Sequence, residues 1–179
     1  MVLLTAIKYI LIKMKQLSPT QKGLFTAVAM MAALSFSLFV LKNPFESKFQ
    51  YIVYCLLCFG IVWSLVSYFR SNNEKKTFTN YFSVGFQTFV VVALLMAVFT
   101  CIYFVTHPEF RDNNIAENSR LLLIQGNHLP KEIEENAKEL KKWFLTLMIS
   151  IAIFKYLFVG ALITAIAAGF LSKKNKAVA

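Results

Sequence analysis

Four long apolar blocks separated by polar segments constrain the fold of this chain more than any other feature. A bilayer core of about 30 Å is crossed by roughly 20 helical residues. Strands of a membrane β-barrel would be about ten residues long with strict alternation, a pattern that these blocks lack. We therefore predict an all-α integral membrane protein with four transmembrane helices in an antiparallel up-down bundle. The predicted spans are 24–41, 51–69, 82–106 and 143–172.

Composition and loop length agree with one membrane domain over residues 1–179. The chain is 58% hydrophobic and only 16% charged, whereas ordinary soluble domains carry more charge. The first two connections, "KNPFESKFQ" and "RSNNEKKT", are short, and Pro44 is expected to end the first helix. Short connections place successive helices antiparallel.

The positions of the basic residues predict the topology. Lysines and arginines precede the first span, lie between spans two and three, and follow the last span. The positive-inside rule then places residues 1–22 and the C-terminus in the cytoplasm, and residues 107–142 outside it. The net charge of +10 does not indicate a nucleic-acid partner, because these residues flank apolar segments instead of alternating with exposed aromatics. The expected partner of the basic flanks is the lipid bilayer.

The N-terminal stretch "MVLLTAIKYILIKMK" lacks the leading charge and the small-residue cleavage pattern of a signal peptide. Two interpretations remain open. The stretch forms an interfacial amphipathic helix, or it is upstream sequence and translation starts at Met14. The interfacial helix would set Val2, Leu4, Ile7, Ile10 and Leu11 against Lys8, Lys13 and Lys15.

The segment 107–142 is the one connection with room for structure of its own. We expect Pro108 to end the third span, and Asn113 or Asn114 to cap a short helix. The "GNHLP" stretch then breaks this helix, and a second helix starts at Pro130 and continues into the fourth span.

The last two apolar blocks are longer than the bilayer requires. The fourth block, at 1.5 Å per residue, is about 45 Å long. Because Lys173 and Lys174 fix its inner end, the surplus projects outward. An apolar helix end in water needs cover, and "LLLI" at 121–124 is the nearest candidate. We therefore predict a small extracytoplasmic helical hairpin, or cap, over residues 107–142.

Lys155 lies inside the apolar run "IAIFKYLFVG". An ionisable group within a span is by default a candidate functional site. However, large apolar residues share its helix face, and counting about 20 residues outward from Lys173 places the membrane boundary near Ile153. Helical side chains lean toward the N-terminus. We favour a membrane anchor that extends its ammonium to the headgroups, with a substrate or ion site as the alternative.

The last span also carries a stripe of small residues. In lipid, small residues allow helices to approach closely, so this face is expected to meet another helix. Contact inside the four-helix unit is favoured over contact between protomers. The stripe comprises Ser150, Gly160, Thr164, Ala167 and Ala168.

No catalytic, cofactor-binding or metal-binding set can be assigned, and neither enzymatic activity nor a cofactor is expected. The only histidines, His107 and His128, lack the spacing of a helical metal site and are interpreted as turn and cap residues. Cys55 and Cys58 form a weak CxxC signal inside an apolar segment. A disulfide from either of them to Cys101 is the alternative to free thiols.

The third span carries a pattern that marks a family. Phe78, Phe82 and Gly85 form F-x3-F-x2-G, and the span closes on "TCIYFVTHPEF", which contains Tyr103 and Pro108. Through these positions, the charged loop and the final "KK", the chain resembles the small four-helix inner-membrane proteins of Bacteroidota in domain of unknown function family 4199. The resemblance covers roughly residues 20–176, with the residues before Met14 outside the pattern. It implies a bacterial inner-membrane location and four spans, without an activity, cofactor or catalytic residue.

These features favour a non-enzymatic accessory or scaffold subunit of a cell-envelope complex. It would contact a protein partner or a second copy of itself through its helix faces and the 107–142 cap. The alternative is a small transporter or oligomeric channel. Its pore-lining candidates are Ser35, Ser37, Ser64, Ser67, Gln87 and Thr88.

Overall fold

The structure, a computed structural model, describes residues 17–41, 47–71 and 77–178, and side chains over 17–37, 50–71 and 77–174. Within these ranges every regular element is an α-helix, which confirms the all-α class for the described residues. The helices are α1 (Pro19–Leu41), α2 (Ser47–Phe69), α3 (Phe78–Thr106), α4 (Pro108–Gln125) and α5 (Pro130–Val178).

Three of these helices contain segments long and apolar enough to cross a membrane. They are Gln50–Phe69, Phe78–Thr106 and Pro130–Lys174. Helix α1, which contains the first predicted span, is not among them, and the side chains of its last four residues lie outside the described part. The fourth crossing therefore stays a prediction.

Some sequence predictions fall outside the described residues. These are the interfacial helix before residue 17, the turn at Pro44, and most of the connection "RSNNEKKT".

Helix α1 begins with a capping box. The Ser18 N–H donates to Gln21 Oε1 at 3.0 Å, and the Gln21 N–H donates to Ser18 Oγ at 3.3 Å. This pair satisfies two donors that an uncapped helix would leave open. Pro19 follows as the first helical residue, where its missing N–H costs nothing.

Helix α4 begins earlier than we expected. Its N-cap is His107 and its first residue is Pro108, so only His107 separates it from α3. The prediction that Asn113 or Asn114 caps this helix is wrong. Proline has a backbone angle already suited to the first helical position, so the helix starts there. Asn114 lies inside the helix, and its Nδ2 donates to the Phe110 carbonyl at 2.6 Å.

A tight turn joins α4 to α5. Gly126 adopts a left-handed conformation with φ of 68°, and its N–H donates to the Leu123 carbonyl at 3.2 Å. This is a common helix ending that favours glycine. Helix α5 then runs without interruption for 49 residues, which confirms that the helix starting at Pro130 continues into the last apolar block.

The chain divides into two compact units. The bundle unit comprises residues 1–95 and 155–179, and the hairpin unit comprises residues 96–154. In the described part of the bundle unit, the largest fully buried apolar side chains are Tyr81, Met30, Leu57, Ile61, Leu65 and Val92.

The hairpin unit has an aromatic and aliphatic core of its own. The Phe104 and Phe144 rings meet edge to face at 5.2 Å. Tyr103 stacks on His107 at 4.8 Å. Ile115 and Ile133 are also buried. Between α4 and α5, Asn118 Nδ2 donates to Asn136 Oδ1 at 3.1 Å.

The "LLLI" segment does not provide the cover that we predicted for it. Leu121, Leu123 and Ile124 are 50%, 61% and 70% exposed. The reason is helical phase. Leu122 follows Ile115 by seven residues and shares its inward face, whereas its neighbours point elsewhere.

Candidate functional site in the bundle unit

Five buried polar side chains from four helices form the candidate site. We call this set the buried polar cluster. Its members are Lys22 and Thr26 on α1, Ser64 on α2, Thr88 on α3 and Thr164 on α5. Buried polar groups are costly unless they are hydrogen-bonded, so their contacts reveal what each of them does.

Thr88 is the most connected member of the cluster. Its hydroxyl lies 2.9 Å from Ser64 Oγ, 3.0 Å from the Val84 carbonyl and 3.3 Å from the Pro19 carbonyl. The side chain is fully buried. One hydroxyl thus provides hydrogen-bonding contacts from α3 to both α2 and α1.

Each of three glycines lies against a threonine of the cluster. A Cβ on Gly23 would lie 2.6 Å from the Thr88 carbonyl oxygen, and a Cβ on Gly60 would lie 2.8 Å from Thr26 Cβ. A Cβ on Gly85 would lie 2.7 Å from Thr164 Oγ1. These separations are too short for any side chain larger than hydrogen. Small residues bring helix backbones together in this way within membranes.

Lys22 is the charged member of the cluster. It is only 4% exposed, and its Nζ lies 5.7 Å from the centroid of the Trp63 ring. Burial lowers the pKa of Lys22 below the usual lysine value. Sequence patterning identified Lys22 only as one of the basic residues before the first span and did not predict its burial. The available signal was its position four residues before Thr26, on one helix face with Met30.

Three buried hydroxyls have no hydrogen-bond partner among the described residues of the bundle unit. They belong to Ser37, Tyr81 and Thr164. The Tyr81 ring meets Tyr68 edge to face at 5.5 Å. Buried polar groups are normally satisfied, so these three hydroxyls are exceptions among the described residues of the bundle unit.

Lys155 contacts α2, although the large apolar residues on its helix face did not predict a polar contact with another helix. Its Nζ donates to Gln50 Oε1 at 3.1 Å and lies 5.1 Å from the centroid of the Tyr54 ring. The side chain is partly buried. Nearer the C-terminus of α5, Lys174 Nζ lies 5.8 Å from the centroid of Phe69, also on α2.

The small-residue stripe is divided between the two units. Gly160, Thr164 and Ala168 are buried in the bundle unit, Ala167 is partly buried, and Ser150 is exposed in the hairpin unit. At Gly160, an added Cβ would lie 2.6 Å from Phe89 Cβ. In the bundle unit, Gly160 therefore allows close contact between α5 and α3.

The candidate pore-lining residues differ in burial and do not share one environment. Ser37, Ser64 and Thr88 are buried, and Ser35 is partly exposed. Ser67 donates to the Trp63 carbonyl of its own helix at 2.8 Å. Gln87 is exposed, so it does not face the interior of the bundle unit.

The remaining chemical candidates lie apart from the cluster. Cys55, Cys58 and Cys101 are free, so the suggested disulfide is not formed. His107 occupies the N-cap position of α4 without a side-chain capping hydrogen bond, and His128 Nδ1 lies 3.9 Å from Glu132 Oε2. Within the described ranges, no group of three metal-binding side chains occurs.

The positions that carry the family resemblance have structural roles. Phe78 stacks on Phe82 at 5.9 Å, and Gly85 admits the Thr164 side chain. Tyr103 is buried in the hairpin unit, and Pro108 opens α4.

Comparison with known proteins identifies the family. A family model described as "Protein of unknown function (DUF4199)" matches residues 2–173. The match begins well before residue 20, so the expectation that the residues before Met14 lie outside the pattern was wrong. No curated protein and no solved structure matches the chain. Because the matched region covers nearly all of its length, the chain belongs to the DUF4199 family.

Proposed function

We propose that the chain is a multi-pass protein of the bacterial inner membrane, with four spans and both termini in the cytoplasm. The order of the helix contacts supports an up-down arrangement. Between α1 and α2, later residues of one helix contact earlier residues of the other, as expected for antiparallel helices. The contacts between α3 and α5 have the same pattern. Between α2 and α5, residue numbers rise together, as expected for parallel helices. The pairs are Lys22–Trp63 and Thr26–Gly60, Gly85–Thr164 and Phe89–Gly160, and Gln50–Lys155 and Phe69–Lys174.

Two lysine contacts support the placement of the membrane boundaries. The candidate span of α2 runs from Gln50 to Phe69, a length of about 30 Å at 1.5 Å per residue. Lys155 contacts Gln50 at one end, and Lys174 contacts Phe69 at the other. Lysines near both membrane surfaces are typical of interfacial anchors, so the anchor interpretation of Lys155 is retained.

Within this membrane we propose a non-enzymatic accessory or scaffold role in a cell-envelope complex. One observation carries this proposal. The hairpin unit exposes large aliphatic side chains close to the Gly126 turn. They are Leu121, Leu123, Ile124 and Leu129, and we call them the turn patch. Apolar side chains clustered on a polar helical hairpin are typical of a protein-binding surface.

Photocrosslinking in intact cells tests the scaffold proposal. A photoreactive amino acid at Ile124 should produce an adduct with a distinct envelope protein, because the turn patch would lie in the interface. The matched control is the same amino acid at Glu117, an exposed position on α4. Recovery of only the lone monomer from both positions, together with a lone monomer in mild detergent, would contradict the proposal.

A small transporter or channel is the second candidate. The buried hydroxyls of Tyr81 and Thr164, which lack partners among the described residues, favour it. In liposomes containing the purified protein, solute flux should fall in Tyr81→Phe and Thr164→Val if these hydroxyls line a path. Gln87→Leu, at an exposed position, should retain flux if the path runs within one protomer and should reduce it if the path lies between protomers of an oligomeric channel. The absence of flux in the unmodified protein would count against this function.

A further inference from the structure

The described part of the bundle unit contains basic residues and no acidic one. Its two acidic residues, Glu46 and Glu74, lie outside the described ranges. Arg70, Lys173 and Lys174 are exposed, and water or lipid headgroups can solvate them. Lys22 differs because it is 4% exposed. A buried charge is costly unless it is paired, so an anion beside Lys22 would stabilise its charged form.

The position of Lys22 indicates where that anion comes from. It lies in the first turn of α1, next to Trp63, which precedes the end of α2 by six residues. That separation is about 9 Å along a helix. Helical side chains lean toward the N-terminus, so the Lys22 side chain leans toward the end of α1 where Ser18, Thr20 and Gln21 are exposed.

The chemistry at this end of α1 matches a phosphate group. Lysine binds phosphate as a point charge, and the N-terminus of a helix adds a partial positive charge. The start of α1 therefore combines a cation, Lys22, with a positive helix dipole, and the Trp63 ring lies beside the lysine.

We propose that Lys22 binds the phosphate group of an anionic lipid at the membrane face where α1 begins. The proposal rests on the proposed insertion of the bundle unit in the bilayer. The lipid phosphate would supply the anion that the described part of the bundle unit lacks, and the exposed basic residues on that face would increase the local concentration of anionic lipid.

Tryptophan quenching measures this binding directly. The chain has two tryptophans, so Trp143→Phe leaves Trp63 as a reporter beside Lys22. The full chain is placed in nanodiscs of phosphatidylcholine and phosphatidylglycerol, with bromine on the acyl chains of one lipid at a time. Quenching of Trp63 should show that phosphatidylglycerol is preferred over phosphatidylcholine beside this ring by about fivefold. This is the preference expected for one lysine near an anionic surface.

Charge variants assign the preference to Lys22. Lys22→Met should reduce the lipid preference to about one, and Lys22→Arg should retain most of it. The matched control is Lys155→Met, which removes a partly buried charge elsewhere in the bundle unit and should leave the preference unchanged. Equal quenching by both lipids in the unmodified protein would overturn the proposal without any variant. An unchanged preference in folded Lys22→Met would also overturn it.

Further arms separate the possible sources of the anion. Inorganic phosphate added at constant ionic strength should leave the preference unchanged, and its loss would identify a soluble phosphate as the ligand instead. Glu74→Gln should also leave the preference in place. If the preference for phosphatidylglycerol in Glu74→Gln is more than twice that of the unmodified protein, Glu74 is the counter-ion of Lys22. If neither brominated lipid quenches Trp63, the result contradicts the proposed insertion in the bilayer. Equal quenching by both lipids contradicts only the proposed lipid site.

Discussion

Three glycine–threonine contacts and one hydroxyl pair bring the helices of the bundle unit together. Each glycine allows another helix to approach at a distance that a methyl group would block, and Ser64 is paired with Thr88. Inside a bilayer the hydrophobic effect does not drive helix association, so close packing and interhelical hydrogen bonds carry that role. We therefore interpret the polar residues of the buried polar cluster primarily as contacts that hold the helices together.

Gly23 provides the sharpest test of this packing. A Cβ there would meet the Thr88 carbonyl oxygen at 2.6 Å, and a backbone atom cannot rotate away. We expect Gly23→Ala to lower the free energy of unfolding by about 1–3 kcal/mol, the usual cost of overpacking. Denaturant titration in detergent micelles measures the change. The matched control is Gly169→Ala, because no atom lies within 4 Å of that position; we expect it to raise stability by up to about 1 kcal/mol.

The hydroxyl pair tests how much one polar contact contributes. A double-mutant cycle of Ser64→Ala and Thr88→Val should give a coupling energy of about 0.6 kcal/mol, typical of interhelical hydrogen bonds in membranes. Thr88 also contacts the Val84 and Pro19 carbonyls, so its single mutant should cost more than that of Ser64. A coupling energy of zero would mean that the 2.9 Å contact does not contribute to stability.

At the scale of elements, the turn between α4 and α5 decides the shape of the hairpin unit. Pro108 and Pro130 open the two helices, and Gly126 ends the first of them. Each residue is placed where its backbone preference fits: proline at a first helical position and glycine where φ is positive. The turn patch follows from this arrangement, since the turn exposes both of its flanks.

Gly126→Ala should loosen the hairpin. An L-residue in the left-handed region costs about 1–2 kcal/mol, and no neighbouring atom would meet the new methyl group, so the effect would come from the backbone alone. We expect amide hydrogen exchange in residues 108–125 to become roughly five- to thirtyfold faster. Gly126→Asn should show a smaller increase, because asparagine tolerates this conformation better. Equal exchange in all three proteins would contradict the role assigned to Gly126.

At the scale of the whole molecule, the proposed topology places two connections on opposite sides of the membrane. In a background with Cys55, Cys58 and Cys101 changed to serine, Ser71→Cys and Asn127→Cys each provide one thiol at an exposed position. In intact spheroplasts, an impermeant maleimide should label the thiol at position 127 and not the thiol at position 71. Both thiols should react after permeabilisation. Labelling of the thiol at position 71 in intact spheroplasts would contradict the proposed topology, either its orientation or its number of spans.

The sequence alone determined the helical class, the continuity of α5 and the turn at Gly126, because these depend on local backbone preference and on apolar run length. The same local signals did not determine which face of a helix is buried. The phase of α4 left Leu121, Leu123 and Ile124 exposed, and Gln87, a candidate pore-lining residue, is exposed on α3. Lys22 was interpreted only as one of the basic residues that flank the first span, and only tertiary packing showed it buried beside Trp63. Burial is a property of pairs of helices: the Gly23, Gly60 and Gly85 contacts form only when distant segments meet, and no single helix encodes its partner.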